Sequence, residues 1–269
     1  ILFTLYYSSS YFGIKQSMEI DSIRYAIEFI ESETTKSILF TSLFFAMKEC
    51  VFAKDGHMAQ PLNMETSKRK MLSLKEKSIY NIFNEKLREF NSDDFVLSQN
   101  NNKCYNKDFR TLLETEESIK EEVGFIYIDP PYTDMQYSRY YHILNTVVLY
   151  DYPDISLNRG NITKGIYREG RYQSPLSQRK YALNEIDFLF SFCKENRINV
   201  ALSYAYPVDI ERQATNRYTA SIDDLINVAR KHFGNDVIVV DEEYSHANNR
   251  NSEKKDVLEY LIICINGEE

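Results

Sequence analysis

The feature that most constrains this chain is the alternation of short apolar strands with amphipathic helices that begins near Phe95. The predicted strands are FVLSQ, GFIYID, NVALSYAYP, DVIVVDEEY and LEYLIICIN. The predicted helices between them are YYHILNTVVLY, a helix opened by Ser174 and Pro175 that runs to about Asn196, and SIDDLINVARKHFG. Strands that alternate with helices fold into a mainly parallel α/β sheet. A polar loop joins the last two strands, so we expect them to pair antiparallel at one end of that sheet.

Helical patterns precede this region. Four isoleucines recur at helical spacing: Ile20, Ile23, Ile27 and Ile30. The apolar run from Ser37 to Ala53 is interrupted by Lys48 and Glu49 and is shorter than the roughly 20 clean residues that a membrane crossing needs. It is therefore predicted to be a core helix.

The polar region from Lys54 to Asp94 holds a local excess of basic residues in an acidic chain. Between positions 68 and 88, seven basic residues outnumber two acidic ones, although the whole chain carries a net charge of −8. A nucleic-acid partner would have to be held by such a patch. The cluster of Lys68, Arg69 and Lys70 is expected either to contact phosphates or to form a solvated helix face.

The four cysteines, Cys50, Cys104, Cys193 and Cys264, are far apart and form no CxxC pair. This spacing favours reduced thiols over a disulfide framework or a zinc site, so no metal is expected. We predict that all four are buried as small hydrophobic side chains.

The stretch GFIYIDPPY combines a strand with a rigid acceptor loop. Continuous apolarity in FIYI predicts a strand buried on both faces, which delivers Asp129 to the carboxyl edge of the sheet, where ligands bind. Pro130 and Pro131 remove two backbone donors, so the loop presents carbonyl oxygens. Tyr132 offers a flat face for stacking on an unpaired base.

A carboxylate, a carbonyl and an aromatic ring together suit a planar ring that carries an exocyclic amino group. If Asp129 and the Pro130 carbonyl accept the two N–H bonds of adenine N6, the nitrogen becomes more tetrahedral and its lone pair more available. Such a base must be extruded from a duplex.

At these residues the chain resembles the adenine-N6 DNA methyltransferases of the Dam-like family, whose signature in its Asp form reads Asp-Pro-Pro-Tyr. The longer match, DPPYTDMQYSRYYHILNTVVLYDYP with the later LSYAYP strand, is similar to a bacterial branch of that family. The resemblance implies a Rossmann-like methyltransferase sheet with a C-terminal antiparallel hairpin and a mainly helical insertion. It also implies DNA as substrate, S-adenosylmethionine as cofactor, and a cognate restriction or defence component as a partner. The cytoplasmic location that we expect comes instead from the widely spaced, reduced cysteines.

The resemblance also implies roles for single residues. Asp108 and Phe109 sit where such enzymes carry an Asp-Phe pair near the cofactor adenine, and Asp129 is a further cofactor contact. Asp108 has an equal structural alternative as the cap of the helix FRTLLE. Tyr137, in the loop after the Asp-Pro-Pro-Tyr motif, is expected to reach the DNA.

One departure from the family pattern concerns glycine. A glycine-rich cofactor loop is expected upstream of the catalytic strand, and Gly13 is the only glycine before Gly56. Either this amino-terminal cofactor portion is absent from the chain, which we expect, or the protein does not hold the cofactor unaided. The predicted division is 1–53 as a helical part of the methyltransferase domain, 54–94 as a helical insertion for target recognition, and 95–269 as the catalytic core.

Two other functions remain open on the sequence alone. One is the same chemistry on RNA or another amino group, and the other is a catalytically inactive nucleic-acid-binding subunit. The remaining tyrosines after the motif and His142 are predicted to be structural, with His142 as a hydrogen-bonded core histidine.

Overall fold

The computed structural model describes residues 1–53, 57–92, 102–208, 215–247 and 254–267 of the 269-residue chain. The chain divides into two compact units. The first comprises Ile1–Asn101 and Tyr137–Tyr172, and the second Asn102–Gln136 and Gln173–Glu269. The boundaries predicted at residues 53 and 94 remain predictions. The predicted strand FVLSQ lies outside the described residues.

The first unit is mainly helical. Its elements are α1 (Leu2–Tyr6), α2 (Ile14–Glu28), α3 (Glu33–Cys50), α4 (Met64–Lys75), α5 (Ile79–Phe90), α8 (Ser138–Leu149), β2 (Leu157–Asn158) and β3 (Asn161–Ile162). Caps define several helix starts: Ser32, Asn63 and Ser78 each accept a hydrogen bond from the first turn of the helix that follows. The isoleucines Ile20, Ile23 and Ile27 face the core, as their helical spacing predicts, whereas Ile30 lies beyond the end of α2 and is only partly buried.

Two buried charged residues connect α2 to the rest of this unit. Asp21 accepts hydrogen bonds from the backbone of Phe3 and Thr4 at 2.9 Å and from the Tyr150 hydroxyl at 2.6 Å. Arg24 donates to the carbonyl of Val147 at 2.8 Å near the end of α8. Each charge is therefore satisfied by hydrogen bonds, as burial requires.

The second unit is an α/β unit built on a four-stranded mixed sheet. Its elements are α6 (Phe109–Thr115), α7 (Glu117–Glu122), β1 (Phe125–Ile128), a 3₁₀ turn (Pro175–Ser177), α9 (Ala182–Glu195), β4 (Asn199–Pro207), α10 (Ile222–Phe233), β5 (Val237–Ala247) and β6 (Lys254–Cys264). The strand order is β1-β4-β6-β5. β1 runs parallel to β4, whereas β6 runs antiparallel to both β4 and β5.

The prediction that β1 is buried on both faces is wrong. Ile126 and Ile128 face the core with the strand residues Val200 and Leu202, but Phe125 and Tyr127 on the other face are 54% and 58% exposed. Within the described residues, β1 pairs only with β4, and the helices α9 and α10 pack their apolar sides into the core on one side of the sheet. The continuous run of apolar residues in β1 therefore does not reflect burial of both faces, because one face of the strand is exposed.

The predicted single helix from Pro175 to about Asn196 is also wrong. Ser174 caps only the short 3₁₀ turn, and α9 begins at Ala182. Pro175 fits the first position of either helix type, so the cap signal did not distinguish a short turn from a long helix. By contrast, α10 has the predicted ends, with Ser221 as its N-cap and Gly234 at φ 62° after its last residue.

None of the helices described is both long and apolar enough to cross a membrane.

Candidate active site

The carboxyl end of β1 presents the Asp-Pro-Pro-Tyr motif. Asp129 directly follows the strand and is exposed, whereas Pro130 is buried. Because β1 and β4 are parallel, their carboxyl ends share one edge of the sheet, and ligands of α/β sheets bind outside this edge. The structure therefore places an accessible carboxylate at a position suited to ligand binding.

A segment before α10 holds the loop that carries this motif. The backbone N–H of Thr219 donates to the Tyr132 carbonyl at 3.1 Å, and the Thr219 hydroxyl donates to the Pro131 carbonyl at 3.3 Å. The Asp134 N–H donates to the Arg217 carbonyl at 2.9 Å. Three hydrogen bonds thus fix the course of the chain after the two prolines.

The hydroxyl of Tyr204, a residue of β4, connects the segment before α10 to the Asp-Pro-Pro-Tyr loop. It donates to the Tyr132 carbonyl at 3.0 Å, accepts from the Ala220 N–H at 3.0 Å, and lies 3.0 Å from the Thr219 hydroxyl. Tyr204 is fully buried on β4, and this burial raises its pKa. The hydroxyl is therefore neutral and keeps its proton for donation.

These hydrogen bonds occupy some backbone carbonyls of the loop but not all of them. The carbonyls of Pro131 and Tyr132 accept hydrogen bonds from the supporting segment. Within the described part of the chain, the Pro130 carbonyl accepts none. It follows Asp129 directly, so a carboxylate and a carbonyl remain as neighbouring acceptors.

Aromatic rings surround the end of the motif. The half-buried Tyr132 ring lies 6.3 Å from the Tyr218 ring at an interplanar angle of 24°, and 6.2 Å from Tyr204 at a steep angle. Tyr218 in turn makes a 4.9 Å edge contact with Tyr206. The Tyr132 ring of the motif is therefore held in a defined orientation by its contacts with neighbouring tyrosine rings.

Sequence reasoning did not identify the supporting residues Tyr204, Tyr218 and Thr219. The strand NVALSYAYP was predicted, but nothing in it indicates which tyrosine reaches a loop 72 positions earlier. Only the alternation along β4, which puts Tyr204 on the core face with Leu202, could have selected it over its neighbours.

The residues predicted to contact the cofactor adenine lie in the same unit. Asp108 is the N-cap of α6, and its carboxylate accepts from the backbone N–H of Arg110 at 3.0 Å and of Thr111 at 3.4 Å. Asp108 therefore caps α6, which is the structural role that the sequence offered as the alternative. Phe109 is half-buried against the core of this unit, 6.5 Å from Phe188.

The residues predicted to bind DNA lie in the first unit. Lys68, Arg69 and Lys70 are all exposed on α4. Tyr137 precedes α8, is about half exposed, and makes an edge contact with Tyr140 at 6.2 Å.

The predicted core role of His142 is confirmed. The ring is 1% exposed and its Nε2 donates to the Met58 carbonyl at 3.1 Å. Burial lowers the pKa of His142 to about 4. The neutral ring is packed among Tyr7, Tyr11 and Tyr167.

The prediction for the cysteines is wrong at one position. Cys50, Cys193 and Cys264 are buried, and burial raises the pKa of each to about 12, but Cys104 is exposed. Cys104 lies before α6 in a polar, mostly exposed stretch without regular secondary structure, so its neighbours provide no core around it. In the described ranges, no three His, Cys, Asp or Glu side chains gather in a way that could hold a metal ion.

Known proteins provide an independent comparison. Residues 4–204 match the sequence model of the D12 class N6 adenine-specific DNA methyltransferases. The chain is 30% identical over 164 residues to the modification methylase LlaI of Lactococcus lactis subsp. lactis, a match that covers 60% of this chain and 22% of that protein. It is 48% identical over 54 residues to the type II methyltransferase M.FokI of Planomicrobium okeanokoites, covering 20% of this chain and 8% of that protein. No solved structure matches.

The chain thus spans less than a quarter of the length of these curated relatives. The family match nevertheless extends over well over half of the chain and includes the Asp-Pro-Pro-Tyr loop and most of β4. The chain belongs to the D12 class N6 adenine-specific DNA methyltransferase family.

Proposed function

We propose that this protein transfers a methyl group to N6 of an adenine extruded from DNA. The observation that carries the proposal is the pair of neighbouring acceptors at the end of β1, the Asp129 carboxylate and the Pro130 carbonyl. An exocyclic amino group has two N–H donors, and each needs one acceptor. The following two carbonyls are hydrogen-bonded to Tyr204 and Thr219, which restricts the amino group to this pair.

The two acceptors would act on the reactivity of N6. Its lone pair is delocalised into the purine ring, and hydrogen bonds to both N–H groups favour the tetrahedral nitrogen whose lone pair can react. Preorganised acceptors of this kind stabilise the developing charge without reorganisation. The negative charge of Asp129 also stabilises the positive charge that N6 carries after it accepts the methyl group and before it loses one proton.

The residues present fit S-adenosylmethionine in part. When bound, this cofactor supplies an electrophilic methyl group. The exposed Asp129 carboxylate is suited to its amino-bearing methionine end. Because the Asp108 carboxylate caps α6, its contribution would be to position the start of that helix and Phe109 beside the cofactor adenine.

Two further groups would hold the nucleic acid. Tyr132 stacks on the extruded base, since an aromatic face accepts any base. Lys68, Arg69 and Lys70 contact phosphates, and Tyr137 contacts the DNA near the target. The antiparallel pair β5–β6 serves as the reversed end of a methyltransferase sheet.

The names of the relatives support a proposal for the biological setting. Since LlaI and M.FokI bear the names of modification enzymes, we infer that this protein protects DNA in the cytoplasm from a cognate restriction or defence component. The acceptor pair would equally bind adenine in RNA, so RNA is the alternative substrate.

A methylation assay on the intact protein tests the proposal. The protein is incubated with S-adenosylmethionine and with DNA or RNA pools of the same sequences, and the digested nucleosides are examined for N6-methyladenine by mass spectrometry. We expect the product in DNA. Product confined to RNA would assign the alternative, and no product in either would reject methyl transfer to adenine.

A pair of matched substitutions tests the assigned carboxylate. Asp129→Asn should lower turnover by about 10²-fold or more, because it removes a charge directed at the reacting group. Asp134→Asn is the control, since Asp134 is an exposed aspartate of the same loop. Equal activities of the two variants would contradict the role of Asp129.

A further inference from the structure

A serine lies beside the carboxylate of the motif, on the neighbouring strand. The last paired residues of the parallel strands β1 and β4 are Ile128 and Leu202, so Asp129 and Ser203 are the next residue of each strand. A residue that precedes proline is held in an extended conformation, and Asp129 precedes Pro130. Asp129 therefore continues the geometry of β1 for one further position, opposite Ser203.

Both side chains belong to the face of the sheet that lies opposite the core. Ile128 and Leu202 face the core, and successive side chains of a strand point to opposite faces. Adjacent strands lie about 4.8 Å apart, so the two side chains are neighbours on this second face. Asp129 is exposed, whereas Ser203 is only 6% exposed. A buried hydroxyl needs a hydrogen-bond partner, and Asp129 is one acceptor at hand.

The Ser203 hydroxyl nevertheless donates in the other direction. It donates to the carboxylate of Glu259 on β6, the strand on the far side of β4. Within the ranges that the structure describes, the Asp129 carboxylate accepts no hydrogen bond. A hydroxyl has one proton to donate, so the bond to Glu259 leaves Ser203 with only lone pairs for any other contact.

The strand pairing of β6 gains nothing from a carboxylate at position 259. Glu259 is directly opposite Glu242 of β5, and like charges directly opposite one another destabilise a strand pair. A neutral acceptor would satisfy Ser203 without this repulsion. An ionised carboxylate has no proton, however, so it can only accept and thereby fixes the direction of the hydrogen bond. This property points to a role at the motif and not in the sheet.

We propose that Glu259 is a positioning residue that prevents the Ser203 hydroxyl from donating to Asp129, an inference that rests on the proposed function. Asp129 then meets the substrate with both oxygens unoccupied, so the N6 amino group does not displace a hydrogen bond within the protein. A donor from Ser203 would also weaken the carboxylate as an acceptor while N6 develops positive charge. Glu259 thus acts on the reaction through Ser203, without contacting the base.

The test removes the acceptor and keeps the serine. Glu259→Leu has no oxygen, so the Ser203 hydroxyl becomes free to donate to Asp129, whereas Glu259→Gln keeps an acceptor oxygen. Glu242→Leu is the matched control, because Glu242 is the exposed residue opposite on β5. Glu259→Leu is also made in a Ser203→Ala background, which has no hydroxyl to reorient. Thermal unfolding checks that all variants remain folded.

Two measurements are made on each protein. The first is the single-turnover rate of DNA methylation. The second is the affinity, without cofactor, for a duplex with an unpaired adenine, relative to the same duplex with an unpaired purine that lacks the exocyclic amino group. Glu259→Leu should lower both the rate and the preference for adenine by about 2- to 10-fold, the typical net effect of one hydrogen bond. Glu259→Gln should recover most of this loss, and Glu242→Leu should match the wild-type protein.

The Ser203→Ala background separates the proposed role from a merely structural one. In that background, Glu259→Leu should cause no further loss, because no hydroxyl remains to donate to Asp129. Three results would overturn the proposal: an equal loss with and without the Ser203 hydroxyl, a wild-type adenine preference in Glu259→Leu, or equal losses in the Leu and Gln variants.

The same measurements distinguish failure of this proposal from failure of the proposed function. If the wild-type protein methylates adenine and Glu259→Leu does so equally well, only the role of Glu259 fails. If the wild-type protein methylates nothing, yet prefers adenine to purine and loses this preference in Glu259→Leu, methyl transfer fails and the role of Glu259 stands. A wild-type protein that binds both duplexes equally overturns the role of Glu259, because it has no amino contact to control.

Discussion

The Tyr204 hydroxyl donates a 3.0 Å hydrogen bond to the carbonyl of Tyr132, the last residue of the Asp-Pro-Pro-Tyr motif. This bond joins the core of the sheet to the loop that carries the acceptor pair. The same hydroxyl also contacts Thr219 and Ala220, so three chain segments meet at one buried oxygen.

Tyr204→Phe should remove the hydrogen bond that supports the Asp-Pro-Pro-Tyr loop, while the phenylalanine ring still fills the core. We expect a decrease of about 1–3 kcal/mol in the free energy of unfolding, because buried partners of the hydroxyl lose their hydrogen bond. Turnover should fall by roughly tenfold or more, since small displacements of a catalytic group are costly. Denaturant titration and steady-state kinetics measure the two effects. Tyr206→Phe on the same strand is the control, and equal turnover of the two variants would show that the loop does not depend on Tyr204.

Tyr132→Ala should remove the stacking surface for the extruded base. The expected decrease is about 1–3 kcal/mol in the free energy of binding to DNA that contains an unpaired adenine. Fluorescence anisotropy on such DNA measures this change. Tyr132→Phe keeps the ring and should bind like the wild-type protein. If the Phe variant binds as poorly as the Ala variant, the hydroxyl and not the ring face is responsible.

Replacement of Lys68, Arg69 and Lys70 with Gln should weaken DNA binding equally on all sequences. The slope of log K against log salt should become shallower by about 0.9 for each phosphate that the variant no longer neutralises. Titrations at several salt concentrations measure the slope. A variant in which the exposed lysines Lys103, Lys180 and Lys194 become Gln carries the same charge change and is the control. Identical slopes for the two triple variants would show that the cluster is only a solvated helix face.

His142 should make the protein less stable in mild acid. Its pKa is about 4 in the folded protein and about 6.5 when unfolded, so between these values the unfolded chain binds more protons. Stability is therefore unaffected by this group above pH 6.5 and falls as the pH decreases toward 4. Between pH 7 and pH 5 the contribution is roughly 2 kcal/mol.

Urea unfolding of the wild-type protein and of His142→Phe at both pH values measures this contribution. The substitution should reduce the pH dependence, whatever its effect on stability at pH 7. An equally steep dependence in the variant would show that other groups cause it.

Cys104 should be the thiol that reacts fastest with a maleimide in the folded protein. The other three are buried and have pKa values of about 12, so they carry little thiolate. Mass spectrometry of the labelled and digested protein identifies the modified site. Cys104→Ser should abolish rapid labelling, and rapid modification of Cys193 or Cys264 would contradict the packed core of the second unit.

Local patterns in the sequence predicted the elements that depend on local chemistry. β4 has the predicted ends, and α10 lies between Ser221 and Gly234, the first and last residues of its predicted range. The Asp-Pro-Pro-Tyr loop also lies at the carboxyl end of a strand, as expected. In each case, periodicity and capping residues carry the information within a few positions.

What the sequence did not reveal depends on distant contacts. The support of the motif by Tyr204 and Thr219 joins residues 72 to 88 positions apart. The open face of β1 depends on which helices cover the sheet. The hairpin formed by β2 and β3 could have been predicted from the local sequence. Asn158-Arg159-Gly160-Asn161 places Gly in the second position of a two-residue turn, which is typical of a β-hairpin. It was overlooked because each strand has only two residues and no alternation to detect.

The position of β6 between β4 and β5 has a consequence for synthesis. β4 and β5 both precede β6 in the chain, and each pairs with it along most of its length. Until β6 has left the ribosome, the hydrogen-bonding edges of β4 and β5 that it will cover have no partner, and unpaired edges of apolar strands promote aggregation. At about 5–20 residues per second, the interval between completion of β4 and completion of β6 lasts several seconds. During this interval the Asp-Pro-Pro-Tyr loop has already been synthesised, but the sheet that supports it is incomplete.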